Sequence, residues 1–193
     1  MSSASPATQR PTLAVFASEQ GPGDPERASI MSLAGSLLAR RGARIVCLAH
    51  GQTLAVPLVT SARAAGGEVL IVADEEAQFP PALSGVPIER MADEDARFQR
   101  VSALADGFVG LPGSLASMAD LYRTWVRAGA GAGGKPVILL NRNRAFEPMW
   151  GMAADVVSHS VKRHDRLVQF TDNVEDLWNK VAWALNEAGH HVS

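Results

Sequence analysis

Short, wholly apolar runs alternate along the chain with longer segments in which apolar residues recur every three or four positions. The runs Thr12 to Ala17, Arg44 to Ala49, Glu68 to Ala73, Asp106 to Leu111, Val137 to Asn141 and Leu167 to Thr171 read as strands. They lack the alternation of a half-exposed strand, so both faces of their sheet are expected to be covered. Pro25 to Arg41 carries Ile30, Leu33, Ala34, Leu37 and Leu38 at helical spacing and stops at Gly42. Thr53 to Ala65 reads as a helix that tolerates Pro57 in its first turn and is closed by Gly66-Gly67. Further helices are expected over Ala92 to Leu104, Ser114 to about Ala128 and Phe146 to about His159. The last helix is expected to open at Asp172 or Asn173, because Asp172 and Glu175 resemble a capping box. Its buried stripe would be Val174, Leu177, Val181 and Leu185. The stretches Asp74 to Pro87 and Gly129 to Gly134 read as loops.

Strands separated by helices imply right-handed βαβ units. The expected fold class is α/β: a Rossmann-like three-layer sandwich, a mostly parallel central sheet with helices on both faces. Residues 1–10, rich in Ser, Ala and Pro, are expected to form a disordered tail, and residues 11–193 one such domain. A net charge of −2 over 193 residues gives no electrostatic reason to expect nucleic-acid or membrane partners. No apolar run has the length of a bilayer span, and Met1 to Arg10 lacks an apolar signal core, so a cytoplasmic location is expected. The lone Cys47 lies in an apolar run and is expected to be a buried thiol rather than a nucleophile. His159, His164, His190 and His191 show no metal-ligand spacing, so no metal is expected.

The most informative stretch runs from Ala105 to Asp120. It reads as a buried strand, a Pro112-Gly113 turn, small residues and a helix. In parallel sheets such junctions lie at the carboxyl edge, where ligands bind, and the free N–H groups of a helix start favour an anion. Ser114 is also suited to cap that helix. Asp120 follows Ser117 by one helical turn, so the two share a face.

The segment Pro112-Gly113-Ser114-Leu115-Ala116-Ser117-Met118-Ala119-Asp120 resembles the P-G-G-x-G-T-x-x-E signature of the lonely guy (LOG) family, formerly called possible lysine decarboxylases. Ser114 and Ala116 stand where the family has glycine, Ser117 where it has threonine, and Asp120 where it has glutamate. Flanking text resembles the family as well: Ala105 to Pro112, Lys135 to Asn141, Phe146 to Met149, and Val15 to Gln20 with Asp24-Pro25. The family's M-x-x-R-K segment is similar to Glu94 to Phe98, with Arg97 kept and Phe98 in place of lysine. Its Gly-Gly-Gly turn is reduced to Leu48-Ala49-His50-Gly51.

The resemblance implies hydrolysis of the N-glycosidic bond of a nucleoside 5′-monophosphate, releasing free base and ribose 5-phosphate. Arg97 and Asp120 would be the catalytic pair. Gly113, Ser114, Leu115, Ala116, Ser117, Ser18, His50, Gly51 and Asn141 would bind phosphate or nucleotide. Asp120 is one methylene shorter than the family's glutamate, a reach difference that costs on the order of a hundredfold in rate. The alternative is a catalytically impaired protein that binds a nucleotide or anionic cofactor on the same fold; a related branch that carries molybdenum cofactor makes it credible. No cofactor is implied for catalysis, since the decarboxylase label needs a pyridoxal lysine and Lys135 lies on the edge away from the expected cleft. The expected partners are a nucleoside monophosphate or similar phosphorylated small molecule and, as in related proteins, a second copy of the chain. The stripe Met118, Leu121, Tyr122, Trp125 is either dimer interface or core, and Trp150 could extend it.

Overall fold

The computed structural model describes residues 10–18, 25–49, 54–128, 134–160 and 167–192, with the backbone alone at 156, 157 and 160. Seven strands are joined in one parallel sheet: β1 (Thr12–Phe16), β2 (Arg44–Ala49), β3 (Val69–Ala73), β4 (Ile88–Arg90), β5 (Gly107–Gly110), β6 (Val137–Leu140) and β7 (Val168–Thr171). Their order is β4-β3-β2-β1-β5-β6-β7. The direction of winding therefore reverses between β1 and β5, and the crevice beyond the carboxyl ends of those two strands is where open α/β sheets take ligands.

The helices are α1 (Pro25–Arg40), α2 (Val56–Ala64), α3 (Glu94–Leu104), α4 (Leu115–Arg127), α5 (Glu147–Met152) and α6 (Leu177–Glu187). After α5 the chain continues through a π-helical turn, Ala153–Val157, into Ser158–Ser160. Alternate strand residues feed two cores. Leu13, Val15, Ile45, Ile71 and Ile138 pack under α1, α2 and α6, against Met31, Leu38, Leu58, Val181 and Leu185. Ala14, Phe16, Val46, Val72 and Phe108 pack under α3 and α4, against Phe98, Val101, Leu121 and Trp125. The expected three-layer Rossmann-like sandwich is the fold found.

Three details differ from expectation. The polar stretch after β3 leads into an additional strand, β4, which contributes only three residues at the sheet edge and pairs with β3. The helix expected to open at Thr53 starts at Val56, with Pro57 in its first turn. The last helix starts at Leu177 rather than near Asp172. The Asp176 N–H donates to the Asn173 side chain (2.8 Å), so a turn occupies the place of the expected capping box.

Candidate functional site

The reversal of winding brings the turn after β5 against the end of β1. A Cβ on Gly113 would lie 2.6 Å from the Ser117 hydroxyl and 3.1 Å from the Ser18 backbone nitrogen. Only glycine lets the turn approach Ser18 so closely. Ser18 is fully buried. Ser18, Gly113 and Ser117 are therefore close neighbours.

What the two serines do there is local. Ser114 is the N-cap of α4, and its hydroxyl accepts from the Ser117 N–H at 3.3 Å. The Ser117 hydroxyl accepts from the Ser114 N–H at 3.1 Å and donates to the Ser114 carbonyl at 2.9 Å. Ser114 has φ of −99°, a conformation open to any residue, so the turn has no steric need for the glycine that the LOG signature carries at this point. The reciprocal cap uses the N–H groups of Ser114 and Ser117. Those of Leu115 and Ala116, at the first two helical positions, point out of the helix without an intrahelical acceptor, as at every helix start. Leu115 is 85% exposed and Ala116 half-buried.

Asp120 is buried, on the α4 face that also buries Ser117, Leu121 and Thr124. Its backbone carbonyl accepts from the Thr124 hydroxyl at 2.7 Å. Arg97 is buried too, in α3. Its Nη1 donates to the carbonyls of Met91 (2.7 Å) and Ala92 (2.8 Å), stapling the end of β4 to α3. Its Nε is buried with no hydrogen-bond partner among the described residues. No ion pair joins Arg97 to Asp120 among the described residues. Phe98 is fully buried core, with the guanidinium groups of Arg123 and Arg127 over its ring.

The turn has a cation that sequence reasoning missed. Arg27, in the first turn of α1, donates from Nη1 to the Gly113 carbonyl at 2.8 Å. A helix start favours acidic residues, so an arginine there runs against the helix dipole, and that was the available signal. Asn141 follows β6, and its role is partly structural. Its Oδ1 accepts from the Phe146 N–H at 2.7 Å, and its Nδ2 reaches Glu147 at 3.4 Å. It also lines a cavity of about 610 Å³ with Arg142 to Arg144, Glu147, Trp150 and Asp172. Arg142 and Asn143 both donate to Glu26, the neighbour of Arg27, at 2.9 and 3.3 Å. The first turn of α1 thus separates the β5 turn from this cavity. His50 and Gly51 lie outside the described residues.

The stripe on α4 divides. Leu121 and Trp125 are core, Met118 is half-buried, and Tyr122 is 47% exposed. Lys135 sits at the amino edge of β6, donates to the Ser102 carbonyl and has its pKa lowered by burial, far from the crevice. No helix among the described residues is long and apolar enough to cross a membrane.

No family model matches the chain, and no curated protein matches it. Solved structures do. In fold, the chain is similar to molybdenum cofactor carrier proteins. That of Chlamydomonas reinhardtii superposes with a TM-score of 0.66 at 18% identity, covering 92% of this chain and 99% of that one. The molybdenum cofactor binding protein of Rippkaea orientalis gives 0.65 at 15% identity, over 91% and 97%. A protein designated TM1055 gives 0.61 at 22% identity, over 89% and 98%. The architecture is common to all three and matches the Rossmann-like three-layer fold expected from the sequence.

Proposed function

We propose that this chain binds a small phosphorylated ligand at the β1–β5 crevice and holds it without cleaving it. The anionic group would rest on the N–H groups of Leu115 and Ala116, beside Arg27, with Gly113 allowing close approach. The observation that carries this reading is the position of Arg97. Glycosidic hydrolysis calls for a carboxylate at the sugar and a proton donor or cation for the departing base. The guanidinium expected to work with Asp120 is instead bonded to Met91 and Ala92. The similar proteins of Chlamydomonas reinhardtii and Rippkaea orientalis carry or bind molybdenum cofactor, which supports binding over turnover for a fold of this kind. That cofactor belongs among the compounds to assay, together with nucleoside monophosphates.

Native mass spectrometry of the purified chain against this panel tests the proposal. A complex of intact ligand is expected, and Arg27→Gln or Gly113→Val should weaken it at least tenfold. Failure of every phosphorylated compound to bind would end it.

One observation favours a second reading, phosphoribohydrolase activity. Asp120 is buried one turn below the anion site, as a glycosidase carboxylate would be. If that reading holds, AMP, CMP or isopentenyladenosine monophosphate releases free base, and Asp120→Asn abolishes release. We also propose that a second copy covers α4, where Leu115, Tyr122 and Val126 form an exposed apolar row along one face.

A further inference from the structure

We propose a second ligand site, separate from the β5 turn: the cavity beyond β6 and β7 binds a planar heteroaromatic ring that carries an anionic group. The cavity measures about 610 Å³, within the range of small-molecule sites, and lies at the carboxyl edge of the sheet.

Trp150 lines the cavity and is 51% exposed. It is held rather than loose. Phe170 of β7 braces it, with ring centroids 4.6 Å apart and an interplanar angle of 48°. A large ring braced on one side and open on the other is a stacking platform for a flat partner.

The loop after β6 is in an unusual conformation. Asn143 and Arg144 have φ of 55° and 60°, and they are the only non-glycine residues with positive φ among those described. Asparagine accepts that region readily, arginine does not. Two successive left-handed residues fold the loop sharply, so that Arg142, Asn143 and Arg144 all line one cavity.

Among the described residues, both arginines keep donors to spare. Arg142 uses Nε for Glu26, and Arg144 reaches Glu147 only at 3.5 Å. The pairs are exposed, and exposed pairs are weak enough for a phosphate or carboxylate to recruit their guanidinium groups.

Asp172, at the end of β7, gives the cavity an exposed carboxylate. It is placed to accept from an amino group on the ring. Arginines, a tryptophan face and a carboxylate together suit an amino-substituted heteroaromatic phosphate better than a bare anion or a hydrocarbon.

Calorimetric titration of the full chain with AMP, adenosine and ribose 5-phosphate tests the site. AMP is expected to bind at least tenfold more tightly than either fragment. Trp150→Leu and Arg142→Gln should each weaken AMP at least tenfold while leaving the melting temperature within a few degrees. Trp183→Leu, at an exposed tryptophan of α6 on the opposite layer, should leave AMP binding within twofold. The proposal falls if wild-type chain shows no AMP binding at millimolar concentration, or if Trp150→Leu and Arg142→Gln bind AMP as wild type does. Equal binding of AMP and ribose 5-phosphate, insensitive to Trp150, would also overturn it while leaving the β5-turn site in place.

Discussion

Gly113 concentrates the constraints of the crevice in one residue. Alanine there would push on the Ser117 hydroxyl and on the Ser18 backbone. The hydroxyl can rotate away, losing the reciprocal cap, but the backbone cannot. Gly113→Ala should therefore cost about 1–3 kcal/mol in chemical denaturation. Ser114→Ala removes only the cap and should cost about 1 kcal/mol. Cys47 gives an independent check on the core, because burial pushes its thiol up to about 12. It should resist a thiol reagent at pH 8 in the native chain and react fully once guanidinium unfolds it; fast native reaction would contradict the burial. These residues were legible to different degrees. Cys47 and the glycine turn could be read from their neighbours in sequence. Arg97 could not, because the carbonyls that hold it belong to Met91 and Ala92 in a loop with no apolar pattern.

The elements followed the hydrophobic pattern wherever the pattern was long. β1, β2, β3, β5 and β6 are apolar on both faces, and burial on both faces is what put them in the middle of the sheet. β4 escaped notice because its three residues, Ile88, Glu89 and Arg90, give no pattern; backbone pairing with β3 makes it a strand. The start of α6 was misread because Asp172 and Glu175 have capping-box spacing, yet the polar turn runs on to Asp176. The edge strand is tied to α3 by Glu89 and Arg100, whose bonds measure 2.7 and 2.8 Å. That hydrogen bonding, helped by the charge of Arg100 and opposed by burial, holds the Glu89 carboxyl below its ordinary range. A lowered folded-state pKa means the contribution is complete above the unfolded value and fades as pH falls through the folded one. Glu89→Gln should thus cost about 0.5 kcal/mol at pH 7, since both partners are well exposed, and the difference from wild type should shrink in acid melts as pH falls below the ordinary carboxylate range.

The fold places two rims side by side: the β5 turn at the reversal of winding, and the cavity beyond β6 and β7, with Glu26 and Arg27 of α1 between them. The row of Leu115, Tyr122 and Val126 runs along α4 away from the first rim. If a second copy covers it, sedimentation should give a dimer for the native chain and a monomer for Tyr122→Lys/Val126→Lys, and a native monomer would contradict that. A binding protein and a hydrolase on this architecture differ in what becomes of the ligand. A single proton NMR experiment reads both fates: AMP, CMP and isopentenyladenosine monophosphate are incubated with the chain, first under protein saturation and again after a day. All three should remain intact, whichever of them saturation reaches; accumulation of free base and ribose 5-phosphate would contradict binding without cleavage.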